Sequence, residues 1–354
     1  MPPKILLAVL NWGLGHATRC VPLVHALQCH TNNITLASDG IARSLLQEEF
    51  PGLEHVELPA YDIRYPGSNM VMGMLPQLPR IFSRIRAEHR VVEELVRSRA
   101  FTHLISDNRF GAYTKHARTA YLTHQVQIPT PVSMLSPPVN ALNHRFIRRF
   151  DELWVPDRPP GSGSLAGPMS DGSRFGTKYL GCLSRMRYRE LPKKYDLTAV
   201  VSGPEPQRSR FADKLHRQLA KFPGKTALVL GQPNSTTTPK TTGNLHIFPF
   251  LATEALNELL LRSRCVVSRS GYSSLMDYER TGTAAILIPT PGQTEQEQLA
   301  ERLAAQQKFA TGRQADFRLS ELYPIALKRG GFGQVDSGAE LLEKAVGNFL
   351  TATS

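Results

Sequence analysis

The feature that most constrains the fold is an alternation of short apolar runs with helix-like patterns, which occurs in two series along the chain. The first series begins with an apolar run at residues 5–10, and apolar positions at helical spacing follow from Ala17. Strands are predicted next at NITLAS and LEHVELP, with the helix IARSLLQEEF between them. Later strands are predicted at HLISDN (103–108), TPVSMLS (130–136) and DELWVPD (151–157). Such alternation is typical of a parallel sheet with right-handed crossovers.

The second series follows residues 158–173, a stretch rich in glycine, proline and serine that predicts a flexible loop near a domain boundary. Strands are predicted at LTAVVSG, KTALVLG, NLHIFPF, RCVVSRSG and TAAILIP, with helices between them. The 354 residues are enough for two domains of roughly 100–200 residues each. We therefore predict an α/β fold of two tandem, doubly wound, Rossmann-like domains, at 1–185 and 186–354. The last helix is expected to pack back on the first domain, and a ligand cleft is expected between the carboxyl ends of the two sheets.

The positive charge of the chain is concentrated in one region. The formal net charge is +12, and residues 60–150 contain 12 arginines and one lysine against five acidic residues, a net charge of +8. This excess predicts an anionic partner, such as nucleic acid, anionic lipid or a phosphorylated ligand. A solvated basic surface is the alternative.

The cysteines and the amino terminus predict a cytoplasmic protein. The four cysteines are scattered, with no C-x-x-C pair, so free thiols in a reducing compartment are expected. The first apolar run is too short for a signal peptide, and no segment approaches the roughly 18 apolar residues of a membrane span.

The first candidate motif is Gly13-Leu14-Gly15-His16, placed where a strand ends and a helix begins. Glycines allow a tight turn and a close approach of ligand to backbone, and a helix N-terminus offers free amides. His16 has a side chain suited to general-base catalysis, and Gly13 and Gly15 are assigned with it to the acceptor side. The alternative is a structural turn, and the dinucleotide-binding G-x-G-x-x-G pattern is absent.

The second motif is the run VVSRSGYSSLMDYERTG at residues 266–282. Ser270 and Gly271 end a strand, and Ser273 or Ser274 is expected to open a helix, which predicts an anion site for a diphosphate. Asp277 could accept hydrogen bonds from the vicinal hydroxyls of a ribose. The alternative is a capping box formed by Ser274 and Asp277, which needs no ligand.

The third motif, IPTPGQTEQEQLAERL at residues 288–303, places Gln293, Glu295 and Gln296 at the start of a predicted helix. Amide and carboxylate groups in one short loop suit a polyhydroxylated ligand, whose hydroxyls both donate and accept. The alternative is an acidic first turn that stabilises the helix dipole.

Two further strand ends carry candidate residues. Ser202 and Gly203 lie in VVSGPEPQRS, where a strand runs into a glycine- and proline-containing loop before a helix, as in an anion cradle; a plain connector is the alternative. Asp107, Asn108 and Arg109 end a first-domain strand and predict contacts to the acceptor, with a helix-capping turn as the alternative.

Together, the tandem domains, the G-x-G-H loop and the S-R-S-G…D…P-x-P-G-Q-x-E-Q run resemble GT-B fold glycosyltransferases. The chain most resembles the lipid-II-forming UDP-N-acetylglucosamine transferase family of bacterial peptidoglycan synthesis. The resemblance implies transfer of a hexosyl or N-acetylhexosaminyl group from a nucleoside-diphosphate sugar, with UDP expected. The acceptor would be a hydroxyl group, lipid-linked or on a cell-envelope glycan.

The resemblance also assigns roles to residues. In that family the first domain serves the acceptor and catalysis, so His16 becomes the candidate base. The ribose-binding glutamate of the family corresponds to Asp277, one methylene shorter. The acid–glutamine pair that reads the donor sugar corresponds to Glu295 and Gln296. The diphosphate loop falls at residues 202–205, where this chain has fewer glycines and an acidic residue.

The family binds membranes through a hydrophobic patch flanked by basic residues. Residues 65–75 (YPGSNMVMGML), followed by Arg80, Arg84 and Arg86, could form such a patch within residues 65–90, next to the inner face of a membrane. A core helix with a basic surface is the alternative reading of this segment.

The mechanism implied is in-line and inverting. His16 would deprotonate the acceptor hydroxyl, and helix N-termini near Gly203 and Gly271, with Arg269, would stabilise the departing diphosphate. No D-x-D motif occurs, so neither a metal-bridged diphosphate nor a cofactor is expected.

Two other functions compete with this interpretation. A nucleotide-sugar 2-epimerase on the same fold would need several acid and base groups around one sugar, whereas only His16 is well placed in the first domain. A non-catalytic protein that binds nucleic acid or anionic membrane would use the arginine cluster. Aromatic residues are sparse there and no nucleic-acid motif is recognised, so no specific nucleic-acid partner is expected.

Overall fold

A computed structural model describes residues 2–61, 75–232, 235, 237–333 and 338–351 of the chain. The chain divides into two compact units, Met1–Leu183 together with Ser337–Ser354, and Ser184–Asp336. Each unit contains its own seven-stranded sheet.

The first unit is built around a parallel sheet with the strand order β3-β2-β1-β4-β5-β6-β7. Its strands are β1 (Ile5–Val9), β2 (Ile34–Ser38), β3 (Glu54–Glu57), β4 (His103–Asp107), β5 (Arg118–Leu122), β6 (Glu152–Val155) and β7 (Lys178–Tyr179). The connecting helices are α1 (Leu14–Gln28), α2 (Gly40–Glu49), α3 (Leu78–Arg99) and α4 (Ser136–Ile147). Every residue of β1, β2 and β4 is buried, because helices cover both faces of such a sheet.

The second unit repeats the plan with the strand order β10-β11-β9-β8-β12-β13-β14. Its strands are β8 (Tyr195–Val200), β9 (Thr226–Val229), β10 (Lys240–Thr242), β11 (Leu245–Phe248), β12 (Ser263–Ser268), β13 (Ala285–Leu287) and β14 (Ala310–Thr311). Its helices are α5 (Gln207–Leu219), α6 (Thr253–Leu261), α7 (Tyr272–Thr281), α8 (Thr294–Ala305) and α9 (Leu319–Arg329). Only the β10–β11 pair is antiparallel among the described strands of this sheet.

Apolar helix faces fix each sheet. In the second unit, the α5 residues Phe211, Leu215 and Leu219 are buried in one cluster with Leu197 of β8 and Val267 of β12. Burying side chains of this size stabilises a fold by about 1.5–3 kcal/mol each. The carboxyl ends of β8, β12 and β13 are thereby held on one edge.

The last helix, α10 (Ala339–Thr351), belongs to the first unit. It packs against α1 and β7. The Phe349 ring lies edge-on to Trp154 of β6 and to His103 of β4, with ring centroids 5.0 Å apart in both pairs. Aromatic edge-to-face contacts of this kind anchor the helix on the outer strands.

The strand predicted at residues 130–136 is wrong. The fifth strand is instead Arg118–Leu122, and residues 133–135 form a 3₁₀ turn that leads into α4. Pro129 and Pro131 explain the difference, because a proline has no N–H to donate within a central sheet.

The segment at residues 158–173 is folded around one buried carboxylate rather than being a plain flexible loop. Asp157 is 1% exposed and accepts hydrogen bonds from the Ser164 and Ser170 hydroxyls, at 2.8 and 2.6 Å. The backbone N–H groups of Leu165 and Ala166 donate to it as well, at 2.8 and 3.0 Å. A carboxylate with several donors can organise a loop that has little apolar content.

No helix among the described residues is long and apolar enough to cross a lipid bilayer. The hydrophobic segment that was predicted as a membrane patch, residues 65–75, lies almost wholly outside the described residues. The basic residues that follow it are on α3.

Candidate functional site

His16 lies in the first turn of α1, directly after the carboxyl end of β1. The helix begins at Leu14, three residues earlier than the apolar spacing predicts, so Gly15 and His16 are part of the helix. Gly13 precedes it with φ 81°, a left-handed conformation that glycine adopts without strain. This sharp entry into α1 brings the His16 imidazole to the strand ends.

Asp107 is the last residue of β4, and it pairs in register with Val9 of β1. Its side chain is fully buried, while the His16 side chain is 13% exposed. His16 Nδ1 lies 3.2 Å from both carboxylate oxygens of Asp107. His16, the predicted base, and Asp107, predicted for the acceptor side, therefore form one hydrogen-bonded pair.

Arg19, one turn after His16 on α1, completes this cluster. Its guanidinium donates to the Asp107 carboxylate through Nε and Nη2, and Nη1 lies 3.1 Å from Nδ1 of the buried His124. Arg19 Nη2 also lies 2.9 Å from His16 Nδ1. The Cys20 thiol donates to Asp107 from 3.3 Å. Asp107 thus interacts with Arg19, Cys20 and His16, while His124 contacts Arg19.

The cluster sets the charge state of its members. Burial lowers the pKa of His16 below its ordinary 6.5, and the Arg19 charge lowers it further, while Asp107 opposes both. Burial by itself raises the pKa of Asp107, but Arg19 and His16 outweigh it and lower that pKa to about 2. At neutral pH the site therefore holds a carboxylate, a guanidinium and an uncharged imidazole.

The other two residues of the predicted acceptor group have different surroundings. Asn108 has φ 57°, and its Oδ1 accepts a hydrogen bond from the Tyr121 hydroxyl at 3.0 Å. Arg109 is fully buried, so the prediction that it contacts an acceptor is corrected to a structural role. Its guanidinium donates to Glu88 of α3, to Asp39 and to two backbone carbonyls.

In the second unit, Gly271 is the N-cap of α7, which begins at Tyr272. Ser273 and Ser274 are the second and third residues of the helix, and no side chain caps it. The capping box that was the alternative at Ser274 and Asp277 is therefore wrong. The first N–H groups of α7, which have no acceptor within the helix itself, lie just after the carboxyl end of β12.

Asp277 is partly buried and accepts a hydrogen bond from the Ser184 hydroxyl at 2.6 Å. Burial raises its pKa to about 6, and the Ser184 hydrogen bond and the nearby Arg185 charge only partly offset this. The carboxylate predicted to bind a ribose thus takes up a proton much closer to neutral pH than an exposed aspartate does.

The donor-sugar residues predicted at the start of α8 have separate positions. Gln293 is the N-cap of the helix, Glu295 is partly buried in its first turn, and Gln296 is 7% exposed. Gln296 Oε1 accepts the backbone N–H of Thr290 at 2.8 Å, and the carbonyl of Gln296 accepts the Ser270 hydroxyl at 2.7 Å. Ser270 and Gln296 therefore tie the β12 and β13 loops together.

Ser202 and Gly203 are exposed in the loop between β8 and α5, and Gly203 has φ 105°. Glu205, two residues on, accepts the backbone N–H and the hydroxyl of Ser209 at 3.2 and 3.0 Å. It also accepts the Arg208 guanidinium at 2.6 Å. A carboxylate of the protein itself thus interacts with the first turn of α5.

Arg269, predicted to help stabilise a diphosphate, is 1% exposed and lies inside the unit. Its guanidinium carbon stacks 4.0 Å from the Phe211 ring centroid, and it donates to the carbonyls of Ile288, Pro289 and Gln207. Burial lowers its pKa to about 9. Arg269 therefore links the loops around the predicted donor site through hydrogen bonds to their carbonyl groups, and its guanidinium does not face solvent.

Some members of these clusters were not among the predicted site residues. Arg19 could have been found, because a residue three positions after His16 on a helix lies on the same face. His124 lies two residues after the end of β5. It was missed because a strand was predicted at 130–136 and none at β5. Glu297, which accepts the Gly292 N–H at 2.9 Å, lies in the predicted helix and had no role assigned to it.

The comparisons with known proteins agree with this architecture. Residues 217–323 match the Glycosyltransferase family 28 C-terminal domain. Among solved structures, SnogD from Streptomyces nogalater is 15% identical with a TM-score of 0.64, over 98% of this chain and 100% of that one. MurG of Acinetobacter baumannii is 12% identical with a TM-score of 0.56, over 97% and 99% of the two chains. No curated protein sequence matches the chain.

A third similar structure is the spinosyn rhamnosyltransferase SpnG complexed with thymidine diphosphate, at 13% identity and a TM-score of 0.57, over 98% of this chain and 96% of that one. These similarities show the fold, which is the two-domain, Rossmann-like α/β architecture of GT-B glycosyltransferases. With the glycosyltransferase domain in its second unit, the chain is a glycosyltransferase.

Proposed function

We propose that the protein transfers a hexosyl or N-acetylhexosaminyl group from a nucleoside-diphosphate sugar to a hydroxyl group of an acceptor. The observation that carries the proposal is the pairing of His16 with the buried Asp107 at the strand ends of the first unit. An imidazole beside a buried carboxylate is a common arrangement for removing a proton from a hydroxyl group.

His16 acts as the general base through Nε2. When His16 Nδ1–H donates a hydrogen bond to the Asp107 carboxylate, Nε2 keeps a free lone pair. This lone pair can take the proton from the hydroxyl group of the acceptor substrate. The lowered pKa of His16 favours this uncharged form at neutral pH. Arg19 Nη2 also lies close to His16 Nδ1 and could donate a hydrogen bond to it. The base is therefore active only in the tautomer in which Nδ1 carries the proton and donates it in a hydrogen bond to Asp107.

The second unit binds the donor in this proposal. The α7 start at Gly271 and the exposed backbone at Gly203 receive the diphosphate, as the amides of helix N-termini favour anions. Asp277 accepts the ribose hydroxyls, and Glu295 and Gln296 face the sugar. Direct attack by the acceptor oxygen displaces the nucleoside diphosphate and inverts the anomeric centre, and no metal ion is needed. UDP is the expected nucleotide; SpnG, with the same fold, is complexed with thymidine diphosphate.

The acceptor proposed is a glycan or a lipid-linked glycan at the inner face of a membrane. Arg80, Arg86 and Arg90 are exposed on α3, and a polybasic surface is attracted to anionic lipids. The hydrophobic part of this membrane surface, at residues 65–75, remains a sequence prediction.

Proton NMR of the wild-type protein with a panel of nucleoside-diphosphate sugars and hydroxyl acceptors tests the proposal. The expected result is release of a nucleoside diphosphate with a new glycosidic bond of opposite anomeric configuration, with EDTA having no effect. A new sugar formed without any acceptor would establish an epimerase instead. Salt-dependent binding of duplex DNA without uptake of any nucleotide sugar would establish a basic binding protein.

A further inference from the structure

Thr290, in the loop after β13, has a buried hydroxyl group that makes no hydrogen bond with the described residues. Its backbone is fully engaged: the N–H donates to Gln296 Oε1 at 2.8 Å, and the carbonyl accepts the Gln293 N–H at 3.0 Å. The residue is 6% exposed, and its Oγ1 is buried without a hydrogen-bond partner among the described residues. Leaving a buried hydroxyl unpaired costs folding free energy, so such a group calls for a physical explanation.

The hydroxyl faces the loop that precedes α5. A Cβ atom built on Gly203 would lie 3.9 Å from Thr290 Oγ1, and it would meet no other atom within 4 Å. Gly203 itself is exposed and has φ 105°, so this side of the loop is open and a side chain there would be strained. α5, which follows, is 13 residues long, and its first amides lie beyond this loop.

The surroundings favour an anion beside this hydroxyl. The buried Arg269 donates to the carbonyl of Pro289, immediately before Thr290, and to the carbonyl of Gln207 at the start of α5. Its acceptors are carbonyl and amide oxygens, so within the described part of the chain its positive charge is not neutralised by a carboxylate. Glu205 is already paired with Arg208 and Ser209.

We propose that Thr290 binds the donor, with Oγ1–H donating a hydrogen bond to an oxygen of the diphosphate of a nucleoside diphosphate. This inference rests on the proposed function and adds to it a residue outside the predicted site. The hydroxyl, the open side of Gly203 and the start of α5 then form one cradle, which Arg269 supports electrostatically from the interior. Ligand binding then supplies a partner for a hydroxyl that has none among the described residues.

The test compares Thr290→Val with Thr290→Ser by calorimetric titration of UDP and TDP, with thermal unfolding measured on the same preparations. Valine keeps the shape and removes the hydroxyl, so its affinity is expected to fall by about 10- to 100-fold, the usual loss of a hydrogen bond to a charged group. Serine keeps the hydroxyl and is expected to bind within about threefold of the wild type. Because valine removes an unpaired buried polar atom, its melting temperature should equal or exceed that of the wild type.

The outcomes separate this inference from the function on which it rests. If the wild type binds UDP or TDP and Thr290→Val binds equally well, the Thr290 inference is overturned and the proposed function stands. A valine variant that loses affinity and melting temperature together would show a structural role for the hydroxyl and also overturn the inference. If the wild type binds neither nucleotide, ADP, GDP and CDP are titrated next, and a wild type that binds none of the five overturns both.

Discussion

Asp107, at the end of β4 in the first unit, and Asp277, in the middle of α7 in the second, are both carboxylates of the predicted site, yet their surroundings shift their pKa values in opposite directions. Asp107 is surrounded by Arg19, His16 and Cys20, and its pKa is lowered to about 2. Asp277 accepts one hydrogen bond, from Ser184, and burial raises its pKa to about 6.

The difference fits the division of roles between the two units in the proposed function. The first unit holds its charges in pairs before any ligand is present, as a site for proton transfer requires. In the proposed function, the second unit offers the ligand backbone amides, a hydroxyl group and the partly buried carboxylate of Asp277. The predictions below test this contrast, beginning with the largest expected effect.

Replacing Asp107 with asparagine should damage catalysis most. In Asp107→Asn the amide can donate to His16 Nδ1, which puts the imidazole proton on Nε2 and removes the lone pair that accepts the acceptor proton. We expect kcat to fall by about 10²–10⁴-fold at unchanged donor affinity. Initial rates on the folded fraction and nucleotide titration measure the two quantities. Asp316→Asn, on an exposed carboxylate, is the matched control, and equal rates in both variants would contradict the assignment.

Two of the buried arginines, Arg109 and Arg269, should differ in their effect on stability. Arg109→Met leaves Glu88 and Asp39 without their cation, so we expect a loss of about 3–5 kcal/mol in unfolding free energy. Arg269→Met strands only carbonyl and amide oxygens, and a loss of about 1–3 kcal/mol is expected.

Urea unfolding measures both losses. Trp12 and Trp154, the two tryptophans, lie in the first unit, so their fluorescence follows Arg109→Met, and circular dichroism follows Arg269→Met. If Arg269→Met lost more unfolding free energy than Arg109→Met, the stability of the second unit would also depend on a buried charge.

The two carboxylates should give opposite pH dependences of stability. The folded pKa of Asp277 is raised from 3.8 to about 6, so its contribution falls as the pH rises through that window. Asp277→Asn should therefore exceed the wild type in stability at pH 7 by about 1–2 kcal/mol, with the difference vanishing near pH 4. Asp107, whose folded pKa is lowered, contributes stability above pH 3.8 that is lost as the pH falls towards 2. Thermal unfolding from pH 2 to 8 checks both directions, and an Asp277→Asn advantage that grows on acidification would contradict the predicted effect of Asp277.

The smallest effect is expected at Glu205, which places a negative charge at the start of α5. Glu205→Gln keeps an acceptor for the Ser209 N–H and removes that charge. Affinity for UDP should rise by about two- to threefold at low salt and less at high salt, because a like charge no longer opposes the diphosphate. Calorimetry at two salt concentrations measures this change. An unchanged or weaker affinity would place the diphosphate away from this loop.

Much of the architecture was predictable because its signals are local. The apolar runs around β1, β4, β8 and β12 are short, bounded by turn residues and separated by helical spacing, so two parallel sheets follow from them. The strand β5 was missed because its residues, RTAYL, include polar and charged side chains, while the proline-flanked segment at 130–136 is more apolar.

The site was predictable only where strand ends marked it. His16 and Asp107 both follow apolar strands, but their pairing depends on β1 lying next to β4, which no local pattern encodes. Arg109 resembles an exposed turn residue in the sequence, and its burial depends on Glu88, contributed by α3 from 21 residues away. Thr290 could not be recognised at all, because an unpaired hydroxyl is a property of the packed loop and not of the sequence IPTPG.

The most direct test of the account is the single-turnover rate of His16→Ala at saturating donor, with donor affinity measured on the same sample. His30→Ala, on an exposed histidine two residues after α1, serves as the control. The account predicts a rate about 10²–10⁴-fold below that of the wild type and an unchanged affinity for the nucleotide sugar. A His16→Ala protein that turns over at the wild-type rate would contradict it.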